Sequence, residues 1–241
     1  MVLPLLTLAL LPNLMSQDIA CHCGKRGALF AKADHSLVRY HRCREHLDPE
    51  RVAYEGLVDS TVPPSMPALF RDTEVSRLHP NIQKALDWKP EGDVTGLLLH
   101  GTTGIGKTRA IWEIIRRLWV ADAKRDRQLA YQFLTMRKIE GMIEKGFDDR
   151  QHAKMLEGLI ELPFLIIDDF GKERLTQRMA SDLFAIIDER STAKRPTIIS
   201  TNYNGTTLLE RFDSRDIETG KALIRRLKDY YMMAGMAEKK V

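Results

Sequence analysis

Residues 96–108 read GLLLHGTTGIGKT, and this stretch decides the fold of the chain. Its first five residues have the length and the apolar character of a buried strand. The remaining eight match G-x-x-x-x-G-K-T, the phosphate-binding loop. From Ile111 to Trp119, apolar residues recur at the spacing of a helix. Strand, loop and helix in this order are the context that the motif requires, so the stretch predicts a nucleotide site in an α/β fold.

The residue types in the loop suit the binding of phosphate groups. Glycines allow backbone N–H groups to converge on phosphate oxygens, and the following helix adds the partial positive charge of its N-terminus. Lys107 would place its charge on the β- and γ-phosphates, and the Thr108 hydroxyl would be a ligand of Mg²⁺. The predicted contacts with ATP are Gly101, Thr102, Thr103, Gly104, Ile105, Gly106, Lys107 and Thr108.

A second motif, LPFLIIDDF at residues 162–170, predicts a buried strand that ends in two acidic residues. In P-loop ATPases the acidic residue at the end of this strand orders Mg²⁺ through water. We therefore assign Asp168 to Mg²⁺. We assign Asp169, the next acidic residue, to the polarisation of the attacking water.

A third strand is predicted at residues 196–202, PTIISTN, after a helix whose apolar face runs from Met179 to Ile187. Ligands of open α/β sheets bind at the carboxyl ends of strands, where Asn202 would reach the γ-phosphate or its attacking water. The residues alone leave a second interpretation open. A lone Asn at a strand end is also a turn former, and the turn signal Asn204-Gly205 follows.

All three cysteines lie in one short segment near the N-terminus. Tetrahedral zinc takes four Cys or His ligands, in two close pairs separated by a spacer. Cys21 and Cys23 form one pair, and Cys43 and His46 form the other, so we predict a structural Zn²⁺ site with these four ligands. The first pair has C-x-C spacing rather than the commoner C-x2-C. Alternative ligands are His22 and His41.

Composition excludes several classes of protein. Of 241 residues, 44% are hydrophobic and 29% are charged, as in an ordinary globular protein. These values exclude a disordered chain, a collagen-like chain and a multi-span membrane protein, and three cysteines exclude a disulfide scaffold. With 37 basic and 33 acidic residues the net charge is +4, which permits contact with nucleic acid without requiring it. Cysteines clustered for metal binding indicate a reducing cytoplasm.

The order of these features predicts a domain organisation. Residues 1–15, MVLPLLTLALLPNLM, form an apolar leader that is too short to span a bilayer and lacks the positive start of a secretion signal. We interpret Met15 as the true start. We predict a zinc-binding module at 16–50, a proline-containing linker at 51–80 with a boundary near Pro63, and an ATPase domain at 81–241.

From about Pro63 to Leu227 the order of motifs resembles the helicase-loader ATPases of the AAA+ class, which include DnaC-type loaders and IstB-type transposition helpers. The resemblance rests on GLLLHGTTGIGKT, LIIDDFG, IISTN and the late LIRRL. It implies a parallel sheet with helices on both faces, followed by at most a short helical remnant. It also implies that Asn202 senses the γ-phosphate and that Arg226 is the arginine finger offered to a neighbouring subunit's ATP, with Arg225 as the alternative.

Two departures from the family pattern bear on activity. Fourteen residues follow Leu227, so the helical lid of larger AAA+ proteins is missing or minimal. Asp169 stands where many AAA+ sites have Glu, and the shorter carboxylate would lie farther from the water, which predicts slow hydrolysis. Some loaders carry an N-terminal zinc-binding domain that contacts the helicase. The resemblance therefore implies that the Cys21–His46 module docks a partner.

The sequence as a whole predicts an ATP-hydrolysing accessory protein of DNA replication. It would act as a homo-oligomer that loads a replicative helicase onto single-stranded DNA without sequence specificity. We predict no contact with a membrane. One alternative is a transposition helper that recruits a transposase, and another is a nucleotide-gated adaptor with little turnover. A P-loop kinase for small molecules fits less well, because no acceptor site or lid is recognisable.

A basic stretch that follows the phosphate loop is the candidate contact with DNA. Binding through such a stretch would depend strongly on salt, because it releases counter-ions from the phosphate backbone. Interleaved Asp122 and Asp126 leave a solvated helix end as an equal alternative. The basic residues are Arg116, Arg117, Lys124, Arg125 and Arg127.

Overall fold

The computed structural model describes residues 23, 29–31, 37–39, 43, 46, 58–59, 62–63, 65–90, 92, 94–123, 129–145, 149–173, 175–212 and 216–235. The apolar leader, the predicted start and one predicted zinc ligand, Cys21, lie outside these residues. Within them, no helix combines the length and the apolar character needed to cross a membrane. The chain separates into two compact units, 1–64 with 119–128, and 65–118 with 129–241.

The first unit contains a small antiparallel sheet. Its strands have the order β2-β1-β3, and Phe30 of the central strand is paired with Val38 on one side and Asp59 on the other. The strands are β1 (Leu29–Ala31), β2 (Leu37–Arg39) and β3 (Val58–Asp59). Strand β3 falls inside the predicted linker at 51–80, and the predicted domain boundaries stay a prediction.

The second unit is built on a five-stranded parallel sheet with the order β5-β6-β7-β4-β8. This confirms the predicted parallel α/β fold. The central strands are buried along nearly their whole length, as strands covered on both faces must be, which explains their continuous apolar runs. The strands are β4 (Gly96–His100), β5 (Gln132–Thr135), β6 (Leu165–Phe170), β7 (Thr197–Thr201) and β8 (Tyr231–Gly235).

Helices connect the parallel strands, because each crossover must bring the chain back to the edge of the sheet at which the preceding strand began. Their apolar faces supply much of the core, including Leu183, Ile186 and Ile187 of the predicted helical face. The α-helices are α1 (Ala68–Arg71), α2 (Pro80–Gln83), α3 (Lys107–Ala123), α4 (Met136–Lys145), α5 (Asp149–Glu161), α6 (Gln177–Thr192), α7 (Gly205–Leu209) and α8 (Ile217–Tyr230). Two 3₁₀ turns cover Val75–Arg77 and Lys84–Asp87.

Strand β8 differs from the expectation of a short helical remnant after Leu227. Helix α8 ends at Tyr230, and the next five residues pair in parallel with β4, Tyr231 opposite Gly96. A Cβ atom at residue 96 would lie 2.4 Å from the Tyr231 ring, so only glycine leaves space for this side chain. The ring fills the position beside β4 and makes the last strand part of the core.

A fully buried arginine joins the end of α5 to the start of β7. Helix α5 leaves carbonyl groups without helical partners at its C-terminus, and the Arg190 guanidinium donates to them. Burial lowers the pKa of Arg190 to about 10. The acceptors are the carbonyl oxygens of Leu159, Ile160, Leu162 and Pro196 and the hydroxyl of Thr197.

Candidate nucleotide-binding site

The loop between β4 and α3 has a backbone that requires glycine. The φ angles of Gly101, Gly104 and Gly106 are 129°, 90° and 93°, in the region that residues with a side chain rarely adopt. At Gly106 a Cβ atom would also lie 2.5 Å from Cδ2 of Leu78. The loop is therefore specified both by its own conformation and by a neighbour that packs against it.

Lys107 lies at the N-terminus of α3 and is held by three oxygen atoms. Its Nζ atom donates to the carbonyl oxygens of Gly101 at 2.7 Å and Thr102 at 3.0 Å, and to Oδ1 of Asn202 at 2.8 Å. Burial lowers the pKa of Lys107, and the nearby carboxylates of Asp169 and Asp168 oppose this shift. The predicted phosphate ligand and the predicted γ-phosphate sensor are thus in direct contact.

Thr108 and Asp168 meet beside this lysine. The Thr108 hydroxyl donates to Oδ2 of Asp168 at 3.0 Å, and the Ser200 hydroxyl donates to Oδ1 of the same carboxylate. Burial raises the pKa of Asp168, while the hydrogen bonds from Ser200 and Thr108 counteract the rise. A hydroxyl and a carboxylate in contact form the oxygen-rich donor set that suits Mg²⁺, so the residues present fit this ion.

Asp169 has a different environment from its neighbour. Its φ angle is 61°, and the register between β6 and β7 shifts between Ile167 and Phe170. Its backbone N–H donates to the Ser200 hydroxyl at 3.0 Å, and its carboxylate accepts from Lys172 at 3.1 Å. This register shift, called the bulge below, places the two consecutive acidic residues in different surroundings. Asp168 is buried and Asp169 is half-exposed.

Arg226 is held within its own chain. Its guanidinium forms an ion pair with Asp188 of α6 and lies 5.7 Å from the centroid of the Tyr230 ring. Arg225 pairs with Asp229 at 3.5 Å, and its side chain is 83% exposed. Among the predicted site residues, direct hydrogen bonds link Lys107 to Asn202 and Thr108 to Asp168. The predicted finger instead contacts α6 and its own helix.

Three further residues contribute to this site and were not predicted from the sequence. Ser200 contacts both acidic residues, and Leu78 packs on the phosphate loop, where the backbone N–H of His79 also donates to the Ile105 carbonyl at 3.3 Å. The polar Ser200 inside an apolar strand was a signal that could have been used. Leu78 and His79 fall in the predicted linker and carry no local signal.

The three described members of the predicted zinc set lie together. The Sγ atoms of Cys23 and Cys43 are 3.6 Å apart, and Sγ of Cys43 is 3.2 Å from Nδ1 of His46. Tetrahedral zinc with ordinary bond lengths separates two sulfurs by about 3.8 Å and a sulfur from a nitrogen by about 3.6 Å. All the ligand atoms lie within 4.8 Å of one another, so this group fits a zinc ion.

Two cations of the predicted DNA-binding stretch are paired with carboxylates of the same chain. Buried Glu113 accepts hydrogen bonds from Arg116 at 2.8 Å and from Arg117 at 2.9 Å. Burial by itself would raise the pKa of Glu113, but these hydrogen bonds outweigh it and the pKa is lowered. Arg117 also donates to Asp87 at 2.8 Å. The other three basic residues of the stretch lie outside the described residues.

The fold and the geometry of the loop define a P-loop nucleotide-binding domain. Residues 84–230 match the family of IstB-like ATP binding proteins. Because this match covers more than half of the chain, the chain belongs to that family.

A relative and three solved structures are similar to the chain. A protein of Mycobacterium tuberculosis, named as an ATP-binding protein in an insertion sequence, is 27% identical over 145 residues, which are 60% of this chain and 51% of the relative. The chain thus spans about half the length of that relative.

The solved structures share the fold. DnaI is 17% identical, with a TM-score of 0.54 over 73% of this chain and 93% of that one. The DnaC helicase loader is 20% identical, with a TM-score of 0.52 over 71% of this chain and 100% of that one. A primosome component of Streptococcus pyogenes is 16% identical, with a TM-score of 0.52 over 72% and 90%.

Proposed function

We propose that this chain is a Mg²⁺-dependent ATPase. Two contacts between the phosphate loop helix and the neighbouring strands carry the proposal, Lys107 to Asn202 at 2.8 Å and Thr108 to Asp168 at 3.0 Å. The first brings a cation to the polar end of β7, and the second brings together two oxygen donors for Mg²⁺. Phosphoryl transfer depends chiefly on positioned groups of this kind, because the protein forms no covalent bond to the phosphate.

Each residue has a defined role in this proposal. Lys107 binds the β- and γ-phosphates and exchanges its present carbonyl and amide acceptors for phosphate oxygens. Thr108 and Asp168 hold Mg²⁺, which neutralises developing charge on the phosphates when it is bound. Asn202 contacts the γ-phosphate, and the Asp169 carboxylate polarises the attacking water. The pairing of Asp169 with Lys172 supports slow basal hydrolysis, because the carboxylate is already engaged.

We propose a transposase as the protein partner. Membership of the IstB-like family supports this choice, and so does the name of the mycobacterial relative, which places that protein in an insertion sequence. The ATPase would act as an oligomer on DNA and recruit the transposase in a nucleotide-dependent way. DNA contact would be independent of sequence.

A replicative helicase is the second candidate partner, because of the N-terminal Cys/His group. Cys23, Cys43 and His46 fit a structural zinc ion, with Cys21 proposed as the fourth ligand. A zinc-stabilised module ahead of the ATPase domain would suit the docking of a helicase, as expected for a loader.

The first test measures ATP hydrolysis with and without single-stranded DNA. We expect DNA-stimulated turnover in the wild-type protein and none in Lys107→Ala. Lys84→Ala, which removes an exposed lysine, is the matched control and should hydrolyse ATP normally. Binding of ATP without turnover that depends on Lys107 would overturn the ATPase proposal and would favour a nucleotide-gated adaptor.

Mixing of variants tests whether a neighbouring subunit completes the site. We expect Arg226→Ala to be inactive, and equal amounts of Arg226→Ala and Lys107→Ala to recover part of the activity. Asp188→Asn separates a finger from a structural ion pair, because it releases Arg226 without removing it. If Asp188→Asn loses activity as Arg226→Ala does and mixing restores nothing, Arg226 has only a structural role.

Metal analysis and partner binding test the remaining proposals. One zinc per chain in the purified protein, lost in Cys43→Ser, would support the zinc site; a zinc-free, folded protein would contradict it.

Immobilised wild-type protein with ATP is then offered purified transposase or purified replicative helicase. Retention of the helicase alone, abolished by Cys43→Ser, would replace the transposase proposal with the loader.

A further inference from the structure

Ser200 is a buried hydroxyl between the two acidic residues of the site. It lies on β7, two residues before Asn202, and has no exposed surface. Its hydroxyl donates to Oδ1 of Asp168 and accepts from the backbone N–H of Asp169 at 3.0 Å. One side chain of a neighbouring strand therefore contacts both Asp168 and Asp169.

The two hydrogen bonds use the hydroxyl in a definite way. A serine hydroxyl has one proton to donate, and here that proton goes to the Asp168 carboxylate. One of its lone pairs receives the Asp169 N–H. Because Ser200 is buried, water cannot replace either interaction if the hydroxyl is removed. Both contacts would then be lost together.

Thr108 is the other side-chain donor to the Asp168 carboxylate among the described residues, but this hydroxyl is itself a proposed Mg²⁺ ligand. A threonine oxygen that binds a cation shares a lone pair with the ion, so Thr108 then serves both the ion and the Asp168 carboxylate. Ser200 donates to the same carboxylate from β7 and is not part of the proposed ligand set. Its bond can persist when the ion binds.

The second contact concerns the backbone at Asp169. This residue has a φ angle of 61°, which is uncommon for a residue with a side chain and needs support from its surroundings. The N–H of Asp169 points to Ser200 across the position where the β6–β7 register shifts. Ser200 thus holds the bulge that separates the buried carboxylate from the half-exposed one.

We propose that Ser200 is a positioning residue that orients Asp168 for Mg²⁺ and fixes the bulge at Asp169. The inference rests on the proposed ATPase function and names a residue on which its metal site depends. Ser200 touches neither the nucleotide nor the ion in this proposal. It acts through Asp168, and therefore its removal should affect Mg²⁺-dependent properties more than the binding of the nucleotide itself.

The test compares Ser200→Ala, Ser200→Cys and Ser200→Thr. Alanine and cysteine remove the strong donor, and cysteine still fills the space of the hydroxyl, whereas threonine keeps the hydroxyl. A labelled ATP analogue is titrated with and without Mg²⁺, and the Mg²⁺ concentration for half-maximal effect is recorded. We expect Ser200→Ala and Ser200→Cys to raise this concentration about tenfold, since a hydrogen bond to a charged group is lost. Metal-free nucleotide affinity should stay close to that of the wild type.

Thr197→Val is the matched control for damage to β7. Thr197 is also buried, and its hydroxyl contacts Arg190 at the other end of the strand. This variant should lose stability without any change in the Mg²⁺ requirement. Ser200→Thr should behave as the wild type; if it does not fold, the comparison of alanine with cysteine still isolates the hydroxyl from the volume.

The outcomes separate this inference from the proposed function. An unchanged Mg²⁺ requirement in Ser200→Ala, or an equal change in Thr197→Val, overturns the role of Ser200. Wild-type protein that binds Mg²⁺ and nucleotide but never hydrolyses ATP overturns the ATPase proposal and leaves the Ser200 result valid. Wild-type protein that shows no effect of Mg²⁺ on nucleotide binding or turnover overturns both.

Discussion

The Nζ atom of Lys107 donates a hydrogen bond of 2.8 Å to Oδ1 of Asn202. This bond joins the first turn of α3 to the end of β7, across 95 residues of sequence. A phosphate group that attracts Lys107 must compete with the amide oxygen, so nucleotide binding changes the environment of Asn202. The pair therefore connects the phosphate loop to the strand that leads into α7.

Asn202→Asp should weaken the binding of ATP. The new carboxylate would form an ion pair with the buried Lys107 and compete with phosphate, and its charge would repel the nucleotide. We expect the dissociation constant of ATP to rise about tenfold or more, because the variant gains a charged hydrogen bond in the nucleotide-free state and ATP must break it. Titration of a labelled ATP analogue measures the effect.

Asn204→Asp is the control for this variant. It adds the same charge two residues away, and the new side chain can still cap α7, where Asn204 accepts from the N–H groups of Thr206 and Thr207. ATP affinity should change little. An equal loss of affinity in both variants would mean that general charge, and not contact with Lys107, controls binding.

Lys172→Gln should increase the maximal rate of ATP hydrolysis. The ammonium group of Lys172 is paired with the Asp169 carboxylate at 3.1 Å, and its loss releases that carboxylate for the attacking water. The pair is exposed enough to be screened by salt, so added salt should raise the wild-type rate and leave the variant unchanged. Steady-state rates at saturating ATP give the comparison.

Asp169→Asn shows whether the carboxylate is the target of Lys172. With Asp169→Asn as background, Lys172→Gln should have no further effect on the rate. A rate that falls in Lys172→Gln would contradict the idea that the ion pair restrains hydrolysis, and would mean that Lys172 orients Asp169 productively.

Arg190→Met should destabilise the second unit strongly. The guanidinium donates to four carbonyl groups and one hydroxyl, and methionine would remove all five hydrogen bonds, including those to the carbonyl groups of buried Leu159 and partly buried Leu162. At about 1–3 kcal/mol for each unsatisfied buried group, the loss of unfolding free energy should exceed about 3 kcal/mol. Urea unfolding followed by circular dichroism measures it.

Arg195→Met provides the comparison for the buried arginine. Arg195 is only partly buried and donates to Ile160 with one nitrogen. Its replacement should cost less than about 1.5 kcal/mol. Similar losses in the two variants would show that the network around Arg190 contributes little beyond one ordinary hydrogen bond.

Tyr231 should make stability depend on pH in the alkaline range. Burial raises the pKa of Tyr231 to about 12, with the hydrogen bond to Thr197 and the charge of Arg190 opposing the shift. The folded state therefore holds this proton more tightly than the unfolded state, whose tyrosines titrate near pH 10. The contribution to stability is complete below pH 10 and is lost as the pH rises from 10 toward 12.

Urea unfolding at pH 8 and pH 11 tests this dependence. From the two pKa values, wild type should lose about 1.4 kcal/mol more than Tyr231→Phe over this interval, because phenylalanine has no proton to release. Titrating groups that do not interact with Tyr231 affect both proteins alike and cancel in the comparison. Equal losses in the two proteins would mean that Tyr231 does not titrate in this range.

The sequence determined those parts of the protein that depend on neighbouring residues. The phosphate loop, the apolar strand that precedes it and the helix that follows form one continuous stretch, 96–123, and each part has a local pattern. The runs before Asp168 and Asn202 were recognisable as buried strands, since strands covered on both faces are apolar throughout. Because these strands were predicted to end at one edge of a sheet, Lys107, Asp168 and Asn202 were expected to lie close together.

Only the tertiary structure decided the contacts between distant segments. Ser200 reaches Asp168 and Asp169 because β7 lies beside β6, and Leu78 reaches Gly106 because its segment folds over the loop. Strand β8, which begins at Tyr231, pairs with β4 as the fifth strand of the sheet. The Tyr231 ring occupies the space that Gly96, without a side chain, leaves open. Strand order, register and packing depend on how the whole chain fills the core, and no short stretch of sequence encodes them by itself.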